Sequence, residues 1–207
     1  NGTKYPSRIL TQFKTIEINQ TINTKVVGDF SASLKLYATE HSNLAADQDI
    51  EVYPLAQSWV NGTGRSTNNP ITSNGCSWKY RDNDTVQTQC LVGGIAGATS
   101  SFSQSIAGGG IWYTGSGFEV NRTYSYGDEI DLSFDVTSPV LKFYSSSQLS
   151  ATYPNGIDNN GFIIKRSDSQ EFNNIDDGTL NYFGVDTHTI YPPYIDFSWD
   201  DSIYDTS

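Results

Sequence analysis

The sequence predicts an all-β fold of two packed antiparallel sheets with at most one short helix. The chain contains 13 Tyr, 10 Phe and 4 Trp, the bulky residues that sheets favour, while charged residues make up only 17%. Asn, Asp and Gly cluster in NGTG, SNG, YPNG, DNNG and DDG, which are turn signals. About nine or ten short strand candidates lie between such turns, and that number suits two sheets packed face to face.

The clearest strand candidate spans residues 32–39, where apolar and polar residues alternate strictly. A second covers 49–55, and Pro54 marks its end or an edge position because proline cannot donate to the ladder. Residues 15–18 are predicted as a strand with Ile16 and Ile18 on one face, or as a turn-like connection. The other candidates are 8–14, 77–81, 111–114, 122–126, 130–136, 161–165, 180–183 and 194–199.

The one helix candidate begins at Ser138. Ser138 is a suitable N-cap and Pro139 suits the first helical position. Val140, Leu141 and Tyr144 follow at helical spacing, so we expect two turns at most.

Residues 1–207 are predicted to form a single domain, since no repeat, charge block or Pro-rich linker divides the chain. The sequence has no Met, so we expect a processed protein or part of a longer one. The loop at 61–74 is long enough to carry binding residues. Residues 91–110 are rich in Gly, Ala and Ser and form either a flexible loop or a small-residue contact surface.

Charge and hydropathy argue against two classes of partner. The net charge is −11 and the 12 Lys and Arg residues are scattered, whereas a nucleic-acid partner requires a clustered basic surface. No stretch approaches the roughly 18 apolar residues that a membrane helix needs. We therefore expect neither nucleic acid nor membrane as a partner.

A series of motifs spans nearly the whole chain, notably VYPLAQSW, GTGR, GCSWKYRD and DTHTIYPPYIDFSWDD. In combination the series resembles the DNRLRE-like β-sandwich modules, related to carbohydrate-binding modules, of virion structural and tail-fibre proteins in tailed, notably marine, phages. The resemblance implies a jelly-roll-like sandwich with a non-enzymatic role. That role would be a tail fibre, a capsid decoration or another surface appendage, acting in assembly or attachment at the virion surface or in an extracellular setting. Its partners would be copies of itself or other virion proteins.

The alternative function is that of a carbohydrate-binding module recognising surface glycans. Aromatic faces stack on sugar rings, and Trp59, Trp78, Trp112 and Tyr113 lie in or beside the loop-rich stretch. The competing interpretation of these four residues is that they fill the sandwich core.

Catalytic apparatus is not evident in the sequence, and we expect the protein not to be an enzyme. The two histidines, His41 and His188, are far apart, and no GxSxG, HExxH or Walker pattern occurs. Acidic pairs are predicted to lie at the surface or in turns, although glycosidases use two facing carboxylates. Calcium is the cofactor we consider, with Asp200, Asp201 and Asp205 as candidate ligands.

The two cysteines, Cys76 and Cys90, lie 14 positions apart across a polar segment that could close a hairpin. A disulfide between them would stabilise the fold by about 3 kcal/mol through chain entropy. Two buried thiols are the equally weighted alternative. Cys76 also departs from the resembled family, which more often has a small apolar residue at this position.

Overall fold

The structure is a computed structural model, and it describes residues 6–42, 44, 47–64, 69, 72–83, 88–90, 95–99, 108–125, 127–148, 156–173, 175–187 and 189–201. Within these residues the chain is mostly β, with 35% strand and 17% helix. The strands are β1 (Ile9–Thr11), β2 (Phe30–Leu36), β3 (Ala38–Ser42), β4 (Gln48–Pro54), β5 (Tyr80–Asp82), β6 (Thr88–Gln89), β7 (Ala98–Thr99), β8 (Trp112–Tyr113), β9 (Val120–Tyr124), β10 (Leu132–Asp135), β11 (Phe162–Arg166), β12 (Thr179–Tyr182) and β13 (Tyr194–Trp199). The helices are α1 (Thr15–Thr24), α2 (Thr137–Gln148) and α3 (Asp168–Glu171), with a 3-10 turn at Val185–Thr187.

All the described strand pairs are antiparallel, and they form several sheets. The largest has four strands in the order β1-β11-β4-β9, and the next has three in the order β10-β2-β13. Three two-stranded ribbons, β12-β3, β5-β6 and β7-β8, complete the described sheets. None of the described helices has the length and apolarity needed to cross a membrane.

One hydrophobic cluster, which we call the main core, draws residues from both larger sheets and from two helices. The four-stranded sheet contributes Val52, Phe162 and Ile164, and the three-stranded sheet contributes alternate residues of β2 and β10. Phe143 of α2 packs edge-on against Phe162 with ring centroids 5.4 Å apart. The alternation predicted for 32–39 is thus confirmed for β2, whose residues Ala32, Leu34 and Leu36 are buried.

The opposite face of the four-stranded sheet carries a second cluster, the small core, formed by Tyr53, Leu55, Trp112 and Ile163. The period-2 geometry of strands explains the division. Phe162 and Ile164 belong to the main core, while Ile163 between them belongs to the small core.

The predicted strand or turn at residues 15–18 is wrong, because this segment begins α1. Ile16 and Ile18 do not share a face: Ile16 is 65% exposed and Ile18 is 3% exposed. The informative spacing is that of Ile18 and Ile22, four residues apart, which both pack against the main core.

The prediction of at most one short helix is also wrong, since the described residues contain three α-helices and a 3-10 turn. The predicted helix itself is confirmed in place but has 12 residues and begins at Thr137, one residue before the predicted cap. Asp135 explains the earlier start, because its Oδ1 accepts hydrogen bonds from the Thr137 backbone N–H at 3.0 Å and hydroxyl at 2.6 Å.

Candidate functional site

A buried ion pair organises the small-core side of the four-stranded sheet. Arg8 donates through Nε and Nη2 to the two carboxylate oxygens of Glu171, at 2.7 and 2.6 Å. The side chains are only 4% and 2% exposed. This bidentate geometry is the one in which a guanidinium and a carboxylate satisfy each other best. It joins the residue that precedes β1 to α3, 163 positions away.

Two of the predicted sugar-binding tryptophans surround this arginine. The Arg8 guanidinium lies 4.7 Å from the Trp78 ring centroid and 5.1 Å from that of Trp112. Such cation–π contacts are strengthened when both groups are removed from water. Arg8 also donates to the Gly109 carbonyl. A Cβ on Gly109 would lie 2.5 Å from Arg8 Nη1, so the glycine allows the loop to approach the arginine.

Lys165 forms a second charged centre near the Arg8–Glu171 ion pair, since both cations lie close to the Trp112 ring. Its Nζ donates to Glu51 Oε2 at 2.6 Å, to Asp168 Oδ1 at 2.8 Å and to the Arg166 carbonyl at 3.0 Å. The strand register places Lys165 directly opposite Glu51. Because an ammonium group has three protons, these three bonds use its full donor capacity.

A cavity of about 220 Å³ lies against Lys165, and we call it the charged cleft. It is lined by Glu51, Tyr53, Thr99, Trp112, Thr114, Lys165 and Asp168. Tyr53 donates to Glu51 Oε2 at 3.2 Å. Burial raises the pKa of Tyr53, and the nearby carboxylate of Glu51 raises it further. The cleft therefore combines aromatic walls with hydroxyl and carboxylate groups. The ammonium group of Lys165, which also lines it, already donates three hydrogen bonds within the protein.

A group of two exposed and two half-buried aromatic side chains lies elsewhere, and we call Tyr37, Phe183, Tyr191 and Tyr194 the tyrosine patch. Tyr37 is at the centre, with ring centroids 5.1 Å from Tyr191 and 6.1 Å from Tyr194. Phe183 extends the patch from Tyr191, with ring centroids 6.0 Å apart. Tyr191 is 45% and Tyr194 is 37% exposed, so aromatic surface of the patch is accessible to a ligand.

Backbone and side-chain contacts hold the tyrosine patch in place. Tyr37 separates β2 from β3, and its carbonyl accepts a hydrogen bond from Phe183 N–H at 2.9 Å. Tyr194 begins β13, after Pro192 and Pro193. The phenol oxygens of Tyr37 and Tyr194 are 3.1 Å apart, and this hydrogen bond, together with burial, raises the pKa of Tyr194 to about 12.

The four aromatic residues predicted to bind glycans do not form one exposed face. Trp112 is 3% exposed and belongs to the small core, against which Trp59 packs. Trp59 also donates through Nε1 to the Asn160 carbonyl at 3.0 Å. Tyr113 stacks on Phe118 with centroids 5.4 Å apart. Sequence reasoning missed the tyrosine patch, although the Tyr-Pro-Pro-Tyr run at 191–194 was a signal for rigidly held aromatic residues.

The structure describes two of the three predicted calcium ligands. Asp200 and Asp201 are exposed after β13, whereas Asp205 lies outside the described residues, as does His188. In the described part of the chain, no three His, Cys, Asp or Glu side chains are grouped closely enough to hold a metal ion. The calcium site stays a prediction.

The two cysteines are free thiols, with Cys90 buried and Cys76 partly buried. Burial raises the pKa of both thiols, and the proximity of Cys90 raises that of Cys76 further. The disulfide between them stays a prediction.

Comparison with known proteins gave no match: no family model fits the chain, and no curated protein or solved structure is significantly similar to it.

Proposed function

We propose that this chain is a non-enzymatic surface-attachment module that binds neutral glycans through the tyrosine patch. The observation that supports it is the exposure of Tyr191 and Tyr194 within a group of aromatic rings in mutual contact. Sugar rings present C–H groups on their faces, and aromatic rings offer the matching apolar surface. The tyrosine hydroxyls add donors and acceptors for the sugar hydroxyl groups.

The negative charge of the protein favours a neutral ligand over an anionic one. The protein has a net charge of −11, and the carboxylate of Asp196 acts electrostatically on Tyr194. A polyanionic ligand such as a sulfated or uronate-rich polysaccharide would be repelled by this field. A neutral polysaccharide is not, so the proposal names neutral hexose polymers as the ligand class.

The setting follows from the resemblance of the sequence to virion and tail-fibre modules. We propose a jelly-roll-like sandwich on the surface of a virion or in another extracellular position, where attachment to surface glycans would be the task. The antiparallel sheets that share the main core are compatible with that architecture.

Assembly with other copies or with other virion proteins is the second candidate. The observation that favours it is the exposure of two aliphatic residues in the same segment as the patch, Val185 at 80% and Ile190 at 84%. Exposed apolar side chains mark a protein interface when they form a contiguous surface.

A glycan array followed by calorimetric titration tests the attachment proposal, with calcium present and then removed by EDTA. Tyr191→Ala should weaken binding of a neutral oligosaccharide roughly tenfold, or about 1.4 kcal/mol. Phe172→Ala is the matched control, since Phe172 is 41% exposed and lies outside the patch. No binding to any neutral glycan at millimolar concentration, or equal losses in both variants, would overturn the proposal.

A further inference from the structure

The groups that line the charged cleft carry more negative than positive charge. Glu51 and Asp168 supply two carboxylates, whereas Lys165 supplies one ammonium group. The nearby Arg8 charge is already matched by Glu171, which accepts both of its bidentate hydrogen bonds. A cation that enters the cleft would therefore meet an attractive field, and an anion would be repelled.

A third carboxylate adds to this field. Glu119 acts electrostatically on the phenol of Tyr53, and so do Glu51 and Asp168. Burial raises the pKa of Tyr53 and all three carboxylates raise it further, so this wall of the cleft stays uncharged at neutral pH. Three carboxylates thus act on the cleft against the single ammonium group of Lys165.

Each lining carboxylate has one oxygen that accepts no hydrogen bond from a described residue. Lys165 Nζ donates to Glu51 Oε2 and Asp168 Oδ1, and Tyr53 donates to the same oxygen of Glu51. Glu51 Oε1 and Asp168 Oδ2 therefore keep acceptor capacity. The Glu51 and Asp168 side chains are 20% and 57% exposed, so a ligand can reach them. Both contact one nitrogen atom, which places them close enough together to share a ligand.

The walls and the size of the cleft favour a small organic cation over a metal ion. Tyr53 and Trp112 provide aromatic surface, with ring centroids 5.7 Å apart, against which an alkyl group can pack. Calcium takes about six to eight oxygen ligands, and the described residues hold no group of three His, Cys, Asp or Glu side chains suited to a metal ion. The volume of about 220 Å³ lies below the roughly 300 Å³ at which ordinary ligand pockets begin.

We propose that the charged cleft binds a small primary alkylammonium ion. Its N–H groups donate to Glu51 Oε1 and Asp168 Oδ2, in hydrogen bonds that are strengthened because both partners are charged. Its alkyl part lies against Tyr53 and Trp112 and is thereby removed from water. Lys165 keeps its three hydrogen bonds and holds both carboxylates in position. The cleft shares no residue with the tyrosine patch, so this inference does not depend on glycan binding.

Titration of the full chain, followed by proton–nitrogen correlation NMR, tests the inference with three probes. n-Butylammonium should bind with a dissociation constant of about 1 mM and shift the amide signals of Thr114 and Lys165. Tetramethylammonium has the same charge without an N–H group, and n-butanol has the alkyl chain without the charge. Both should bind at least about tenfold more weakly, because neither can make the charged hydrogen bonds. Added salt should weaken n-butylammonium binding.

Asp168→Asn is the variant that tests the carboxylate. Asparagine keeps an oxygen acceptor for Lys165 and removes only the charge. It should weaken n-butylammonium binding about tenfold. Asp29→Asn is the matched control, since it changes the net charge equally at an exposed position between α1 and β2. Its affinity should equal that of the wild type.

Several results would overturn the proposed site. Equal affinities for n-butylammonium and tetramethylammonium would show attraction by the net charge alone, as would equal losses in the two variants. Signal shifts confined to residues outside the cleft would place the ligand elsewhere. No response to n-butylammonium at ten times the expected dissociation constant would show that the cleft binds no amine. The comparison of the three probes uses the wild type, so it decides the matter even where Asp168→Asn does not fold.

Discussion

The two faces of the four-stranded sheet are stabilised by different interactions, although the same strands form both. The main-core face presents Val52, Phe162 and Ile164, all nearly inaccessible to water. The small-core face presents Tyr53 and Ile163 together with the buried charge of Lys165. The main-core face is stabilised by apolar burial, whereas the small-core face depends on each charge having a bonded partner.

The tryptophans of the small-core side follow the competing interpretation of the sequence, in which they pack inside the fold. Trp78 and Trp112 lie against the Arg8 guanidinium, and Trp112 also lies 5.5 Å from Lys165 Nζ. Their rings cover buried cations, whereas Tyr191 and Tyr194 carry exposed aromatic surface. The comparison of the two faces leads to three stability predictions.

The largest expected effect is on the main-core face. Phe162→Ala should lower the free energy of unfolding by about 4 kcal/mol, because it leaves a cavity next to Phe143 in a fully buried site. Denaturant titration followed by circular dichroism measures the change. Phe172→Ala, at a 41% exposed position, is the control and should cost much less.

On the small-core face, Glu171→Gln should cost about 3 kcal/mol, because it leaves the Arg8 guanidinium buried without its opposite charge. The double variant Arg8→Met with Glu171→Leu should recover part of this loss, since both charges are then removed. A double variant less stable than Glu171→Gln would show that the cation–π contacts matter more than the ion pair.

The smallest stability effect concerns alkaline pH. The pKa of Tyr53 is raised in the folded state, so its contribution is fully present below the ordinary phenol value of about 10 and is lost as pH rises through the folded pKa. We expect the free energy of unfolding to fall above about pH 10, and Tyr53→Phe to make that fall shallower. Parallel unfolding titrations at pH 8 and pH 11 measure it, and identical slopes for the two proteins would contradict the assignment.

Local patterns predicted the parts of this fold that depend on local sequence. The alternation at 32–39 gave the buried face of β2, and Ser138 and Pro139 marked the start of α2 to within two residues. The first helix was missed because Ile16 and Ile18 imitate a strand, while the decisive pair, Ile18 and Ile22, requires a longer window.

The candidate sites were less accessible from sequence because distant segments build them. Arg8 and Glu171 are 163 positions apart, and Tyr37 meets Tyr194 across 157 positions. No local spacing encodes such contacts. Lys165 and Glu51 face each other only through the register of β4 and β11.

The most direct test of the attachment account compares Tyr191→Ala with Trp59→Ala on an immobilised neutral glycan bound by the wild type. Surface plasmon resonance would measure affinity, and circular dichroism would confirm that both variants fold. The account predicts that Tyr191→Ala loses roughly tenfold in affinity while Trp59→Ala binds as the wild type does. A loss confined to Trp59→Ala would contradict it and return the sugar site to the tryptophans predicted from the sequence.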